Sequence, residues 1–162
     1  MDSLAQSNPE DWQTLHDTLK EGLEKEIRLT RELLSNLHQE EVSLMLHDAG
    51  SLNQILQMRH PMLESLSSLR LNRLKTTERI EKIASTKNKS PSLEEILPPN
   101  EASTAEILLL SDQLIALTER MSRQSTYNQR LTKNADHSYA PQPVLEARPK
   151  KKASVTTLNI IK

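Results

Sequence analysis

Apolar residues recur along most of this chain in steps of three and four, the spacing of one face of an α-helix. Three such stripes follow one another. The first holds Trp12, Leu15, Leu19, Leu23, Ile27, Leu34, Leu37 and Leu44 and predicts a helix over about 9–47. Asn8, Pro9, Glu10 and Asp11 open it. Asn is a good cap, Pro suits the first helical position, and the two acids complement the positive end of the helix dipole. Gly22 lies inside this helix at a modest cost. The segment HDAGS at 47–51 interrupts the pattern. Gly50 is expected to take the left-handed conformation that ends the helix, and Ser51 to cap the next one.

The second stripe holds Leu52, Ile55, Arg59, Met62, Leu66, Leu69, Arg73, Thr76, Ile80 and Ile83 and predicts a helix over about 51–84. Pro61 falls inside it. An internal proline removes one hydrogen bond and clashes with the preceding turn, at a cost of ~3 kcal/mol. A turn there would reset the phase, yet the phase runs on unbroken, so a continuous, kinked helix is expected. Residues 85–100 read as a linker. In it Ser90, Pro91 and Glu94 can start one helical turn, and Pro98 and Pro99 stop it. The third stripe, Ile107, Leu110, Leu114, Leu117 and Met121, predicts a helix over 101–134. Its rhythm continues through Gln124, Asn128 and Leu131, where it turns mostly polar, while Leu109 and Ile115 widen the apolar face of the first half. This helix is expected to be buried at its start and wetter toward its end. Periodicity stops at Ala135, and residues 135–162, with three prolines and a lysine run, read as a flexible basic tail.

The expected fold is therefore all-α: an elongated antiparallel helical hairpin plus a third helix in residues 1–134, followed by the tail at 135–162. Each hairpin arm would span roughly 50 Å at about 1.5 Å per residue. A shorter third helix would leave part of the hairpin without a partner and expose apolar surface to another chain.

Composition strengthens this picture. The chain of 162 residues has 27 Leu but only 3 Val, 2 Gly and 3 aromatics, none of them Phe, which argues against a large sheet. It has no Cys, hence no disulfide and no thiol chemistry, which fits a reducing compartment. The acidic, polar start MDSLAQSNPEDW is not a secretory signal, and the longest apolar run, ILLL at 107–110, is far too short to span a membrane. Residues 141–162 carry five basic residues against one acid, a charge of +4, which leaves −5 for the rest of a chain whose net charge is −1. An acidic body with a basic tail argues against nucleic-acid binding as the main task.

No arrangement of residues suggests catalysis. His16, His38, His47, His60 and His137 are scattered and form no H-x-x-x-H pair, so no metal site is expected. Two glycines cannot build a phosphate-binding loop, and no G-x-S-x-G is present. Adjacent acids such as Glu40 and Glu41, or Glu94 and Glu95, point in different directions on a helix. No enzyme activity and no cofactor are expected. Arg59 and Arg73 stand at apolar-stripe positions. The ordinary reading is that each snorkels, burying its stem and keeping its head in water. The alternative is that they pair with acids of the first helix or contact a partner. The basic run at 148–152 reads first as a solubilising tail, and the final SVTTLNIIK as a disordered end or a segment that adds to a partner.

Across the hairpin, Glu41, Leu44, Asp48, Leu52, Ile55, Arg59, Met62, Leu63, Leu66, Leu69 and Arg73 form a more particular pattern. It resembles that of the FlgN family of flagellar export chaperones: an acid, a Leu, a break with Asp or Gly, then L-x-x-[IL]-x-x-x-[KR]-x-x-[LM]-L-x-x-L. Arg59 matches the basic place, and Pro61 departs from the pattern. The family also tends to have a tyrosine just past the last helix, followed by Gly or Pro. Tyr139, Ala140 and Pro141 look like a diverged form of it. The resemblance implies a cytoplasmic chaperone that binds hook–filament junction-type proteins, prevents their premature assembly and delivers them to the cytoplasmic domain of the type III export gate. Leu114, Leu117, Met121, Tyr127 and Leu131 of the third helix are the expected cargo-binding residues, and Tyr139 the expected export-gate contact. The other readings are a coiled-coil stalk or scaffold component of a secretion apparatus, which would show longer uninterrupted heptads, and a regulatory adaptor for a non-cargo protein. Oligomeric state is left open by the sequence.

Overall fold

The computed structural model describes residues 9–84, 92–97 and 102–138, with side chains from 12 to 135 among them. Four helices make up these residues: α1 (Pro9–Met45), α2 (Ala49–Ala84), α3 (Leu93–Ile96) and α4 (Ala102–Ser138), with no strand among them. The chain is all-α. Tyr139 and the remainder of the expected tail lie outside the described residues.

α1 is the spine. Glu26 pairs with Arg73 and Glu40 with Arg59, so α2 runs antiparallel to it. Lys20 pairs with Glu106 and Glu41 with Gln124, so α4 runs parallel to it. Both α2 and α4 pack closely along α1, and much less closely on each other. A helix placed between two others must bury two stripes, and α1 does. The stripe toward α4 contains Leu15, Leu19, Leu23 and Ile27, all in the main apolar core. The other stripe steps through Glu26, Thr30, Leu33, Asn36 and Glu40, and all of these except the half-buried Glu40 are buried. Its largely polar make-up is why apolar periodicity reveals only the first stripe.

The apolar core has two parts. The larger joins the first half of α1 to Ile80 of α2, Ile96, Leu97, and Ile107, Leu114 and Leu117 of α4. The smaller, nearer the hairpin turn, is formed by Leu33, Leu37, Leu66 and Met121.

The turn departs from expectation. His47, not Gly50, takes the left-handed conformation, with φ 54°. The Asp48 N–H donates to the Ser43 carbonyl at 2.9 Å and the His47 N–H to the Leu44 carbonyl at 3.3 Å. These are the two bonds of the Schellman ending, which satisfy carbonyls the helix leaves free. Gly50 is already helical. Asp48 caps α2 instead of Ser51: its Oδ1 accepts the Ser51 N–H at 3.0 Å and its Oδ2 the Ser51 hydroxyl at 2.6 Å. The Ser51 hydroxyl and then the Ser51 N–H hold the Asp48 carboxyl below its ordinary value. A carboxyl lowered in this way stabilises the fold above its unfolded-state pKa, and that contribution fades as pH falls through the folded value.

His47→Gly is therefore expected to stabilise the protein by about 0.5–1 kcal/mol, since a non-glycine residue is strained there. Gly50→Ala should add a similar amount, about 0.5–1 kcal/mol, by favouring helix. A Cβ at Gly50 would meet only Asp48 Oδ1, at 3.5 Å. Denaturant midpoints measure both, and a loss of stability on Gly50→Ala would return the left-handed role to that glycine.

α2 is continuous through Pro61, in keeping with its unbroken phase. The segment read as a linker is more than a tether. α3 is capped at Ser92, two residues later than expected, and the Ser92 N–H donates to Glu95 Oε2 at 3.2 Å. Ile96 and Leu97 are only 2 % and 3 % exposed within the main core.

α4 also differs. It has 37 residues, as α1 does, against 36 in α2, so the hairpin does not outrun its third helix. It continues to Ser138 because no glycine or proline lies between Leu131 and that residue, so helix propensity carries on after apolar periodicity has ended.

Candidate functional site

The expected cargo residues separate into two groups. Leu114, Leu117 and Met121 are buried where α4 meets α1 and α2. Tyr127 is exposed and Leu131 half-buried. The five therefore do not form one accessible face: three hold α4 in place, Tyr127 is turned toward solvent and Leu131 is only partly accessible. Leu109 and Ile115 do not widen the buried face either. They are 70 % and 53 % exposed, because α4 is covered on one side only.

The second half of α4 is mostly exposed, as expected, but its inner edge stays bonded to α1. Asn128 is 2 % exposed, and its Nδ2 donates to the Leu37 carbonyl and to Glu40 Oε2, each at 2.7 Å. The same Glu40 oxygen accepts from Arg59 Nη2 at 2.8 Å. Arg59 Nε donates to Asn36 Oδ1 at 2.7 Å, and Asn36 Nδ2 donates to the Ile55 carbonyl at 3.0 Å. Gln124 Nε2 donates to Glu41 Oε2 at 2.7 Å and to Asn128 Oδ1 at 3.0 Å. One network thus crosses all three long helices near the turn. Burial of these groups is tolerable because each finds a partner. Arg59 does not simply snorkel, and neither does Arg73, whose Nε lies 2.6 Å from Glu26 Oε1. Both arginines pair with acids of α1 and fix the register of the hairpin. Two arginines standing within an otherwise mostly apolar stripe are the signal for this in the sequence.

Two accessible features remain. The first is apolar and lies about the hairpin turn, where Val42 and Met45 of α1, Leu46 of the turn, and Leu56 and Met58 of α2 are exposed. Methionine suits a surface that must adapt, being unbranched and polarisable. The second is a groove of about 410 Å³ between α1 and α4, lined by Leu34, His38, Arg120, Arg123, Gln124 and Tyr127. Leu34 and Gln124 are half-buried in it, and His38, Arg120, Arg123 and Tyr127 are exposed along it. Arg120 makes no ion pair among the described residues, and Arg123 has only a long contact of 3.8 Å to the exposed Glu119. His38 lies 3.6 Å from Glu41.

None of this is catalytic geometry. His16 is a core residue beside Trp12, their rings 5.1 Å apart, and Ser103 Oγ lies 3.4 Å from its Nδ1. No cluster of three or more metal-ligating side chains occurs among the described residues, and no helix there is long and apolar enough to cross a membrane.

The family model described as FlgN protein matches residues 15–138, which takes in both hairpin helices, α3 and α4. No curated protein and no solved structure matches the chain.

Proposed function

The chain belongs to the FlgN family of flagellar type III export chaperones, and from that premise we propose that it binds hook–filament junction-type proteins in the cytoplasm and delivers them to the export gate. The observation that carries this reading is the family match across residues 15–138. A chaperone of this kind performs no chemistry. It covers surface on an unassembled subunit and releases it at the gate. Exposed Leu, Met and Val about the hairpin turn supply apolar contact of the adaptable kind, and Tyr127 and Leu131 offer cargo a partly apolar face on α4. Leu114, Leu117 and Met121 contribute by keeping α4 seated on α1. Tyr139 is the gate contact, an aromatic anchor that gives large contact area with few rotors to freeze. Pro141 and Pro143 restrict the backbone beside it, and the lysines at 150–152 steer the tail toward an acidic gate surface.

Titration against a purified hook–filament junction protein tests the cargo role. Tyr127→Ala and Leu131→Ala should each weaken binding by about 1–2 kcal/mol with helicity unchanged. Unaltered affinity in both would move the cargo site off this part of α4. In parallel, Tyr139→Ala should weaken binding to the isolated gate domain by about 1–3 kcal/mol while leaving cargo affinity alone. Equal gate affinity for wild type and variant would remove Tyr139 from the docking role.

A further inference from the structure

The groove between α1 and α4 has a definite chemical character. Its apolar parts are Leu34 and the Tyr127 ring, and its charged parts are Arg120 and Arg123, with His38 on the opposite wall. The surroundings extend the same sign. Arg31 lies two turns before His38 on α1 and Arg130 two turns after Arg123 on α4, and both are exposed. The acids nearby are already engaged: Glu41 accepts from Gln124 and faces His38, and Glu119 faces Arg123. A cationic strip thus runs along a groove on a chain whose described body is otherwise acidic.

We infer that this groove is the seat of an acidic amphipathic helix of the cargo, packed against α1 and α4 as a further helix of the bundle. The inference rests on the chaperone reading above and specifies the partner's chemistry. Two helices running side by side leave a furrow that accepts a third along their length. From Arg120 to Tyr127 the furrow covers eight residues of α4, a rise of about 10 Å at about 1.5 Å per residue, or two turns of an incoming helix. Such a helix places apolar residues at i, i+3 or i+4 and i+7 over Leu34 and Tyr127. Carboxylates on the edge facing α4 meet Arg120 and Arg123, which sit one turn apart. Guanidinium groups take carboxylates in a fixed fork, so the pairing fixes register as well as charge. A basic or neutral helix of the same apolar pattern leaves these arginines unanswered. The groove therefore discriminates among amphipathic helices by sign.

The test uses the full chain and three synthetic helical peptides of about 18 residues. All carry the same leucine stripe, with Glu, Lys or Gln at the flanking positions. The Glu peptide is expected to bind at least about tenfold more tightly than the Lys and Gln peptides, and the difference should shrink at high salt. Arg120→Glu with Arg123→Glu should abolish that preference, and Tyr127→Ala should weaken the Glu peptide by about tenfold. Lys75→Glu with Arg79→Glu, exposed positions on α2, makes the same change in net charge away from the groove and should leave the preference intact. Equal binding of the three peptides, or equal loss in both charge-reversed variants, would overturn the inference. The same variants are titrated against a purified hook–filament junction protein. If that protein binds wild type and the Arg120→Glu, Arg123→Glu variant equally, the groove assignment falls and the chaperone reading stands. If it does not bind wild type at all, the reading of the cargo falls, and the inference with it.

Discussion

Arg73→Met should lower the unfolding free energy by about 2–4 kcal/mol, a large part of the stability of an ordinary domain. The cause is the partner left behind. Glu26 is 3 % exposed on the face of α1 that meets α2, and the Arg73 guanidinium is 2.6 Å from its carboxylate. Removing one member of a buried pair leaves a desolvated charge without compensation. The edge of Arg73 that reaches water keeps the effect below the extreme. Replacing both residues with apolar ones, Glu26→Leu with Arg73→Met, should recover most of the loss, because a well-packed apolar pair can match a buried ion pair in stability. Urea unfolding followed by circular dichroism separates the cases. A single variant within about 0.5 kcal/mol of wild type would mean that Glu26 finds solvent without Arg73.

Ile96→Ala should cost about 2–4 kcal/mol, as does truncation of a large aliphatic side chain in a closed core. This is unusual for a residue in a four-residue helix between two prolines and a polar segment. Ile96 and Leu97 nevertheless fill the space between the start of α1, the end of α2 and the start of α4, alongside Leu15, Leu19, Ile80 and Ile107. They cover the end of the bundle opposite the hairpin turn. Truncation of an exposed residue of similar size, Leu109→Ala, serves as the comparison and should stay within about 0.5 kcal/mol. Equal effects of the two would make α3 the simple tether that its composition suggests.

These two expectations mark where sequence reasoning stopped. The polar half of α4 shows the same limit at the candidate site: Gln124 and Asn128 continue the rhythm of the stripe, but their bonding into a network with α1 depends on where α1 lies. The Arg59 and Arg73 pairings were among the alternatives the stripe positions allowed, and choosing between them needed the acids of α1 to be in place. The groove was not legible at all. Leu34 and Tyr127 are 93 positions apart, and only the parallel packing of α4 on α1 makes them neighbours.

The sequence by itself determined the all-α class, the long helices, the hairpin break near residue 47 and the continuity of α2 through Pro61. All of these follow from local spacing and propensity, which act within a few residues along the chain. The hairpin pattern also carried the family resemblance, for the same reason. Tertiary structure alone decided which polar residues are buried, because a polar side chain is admitted to the interior only where another helix brings it a partner. Burial of Ile96 and Leu97 was settled in the same way, by three helix ends that converge on them and leave apolar space to fill.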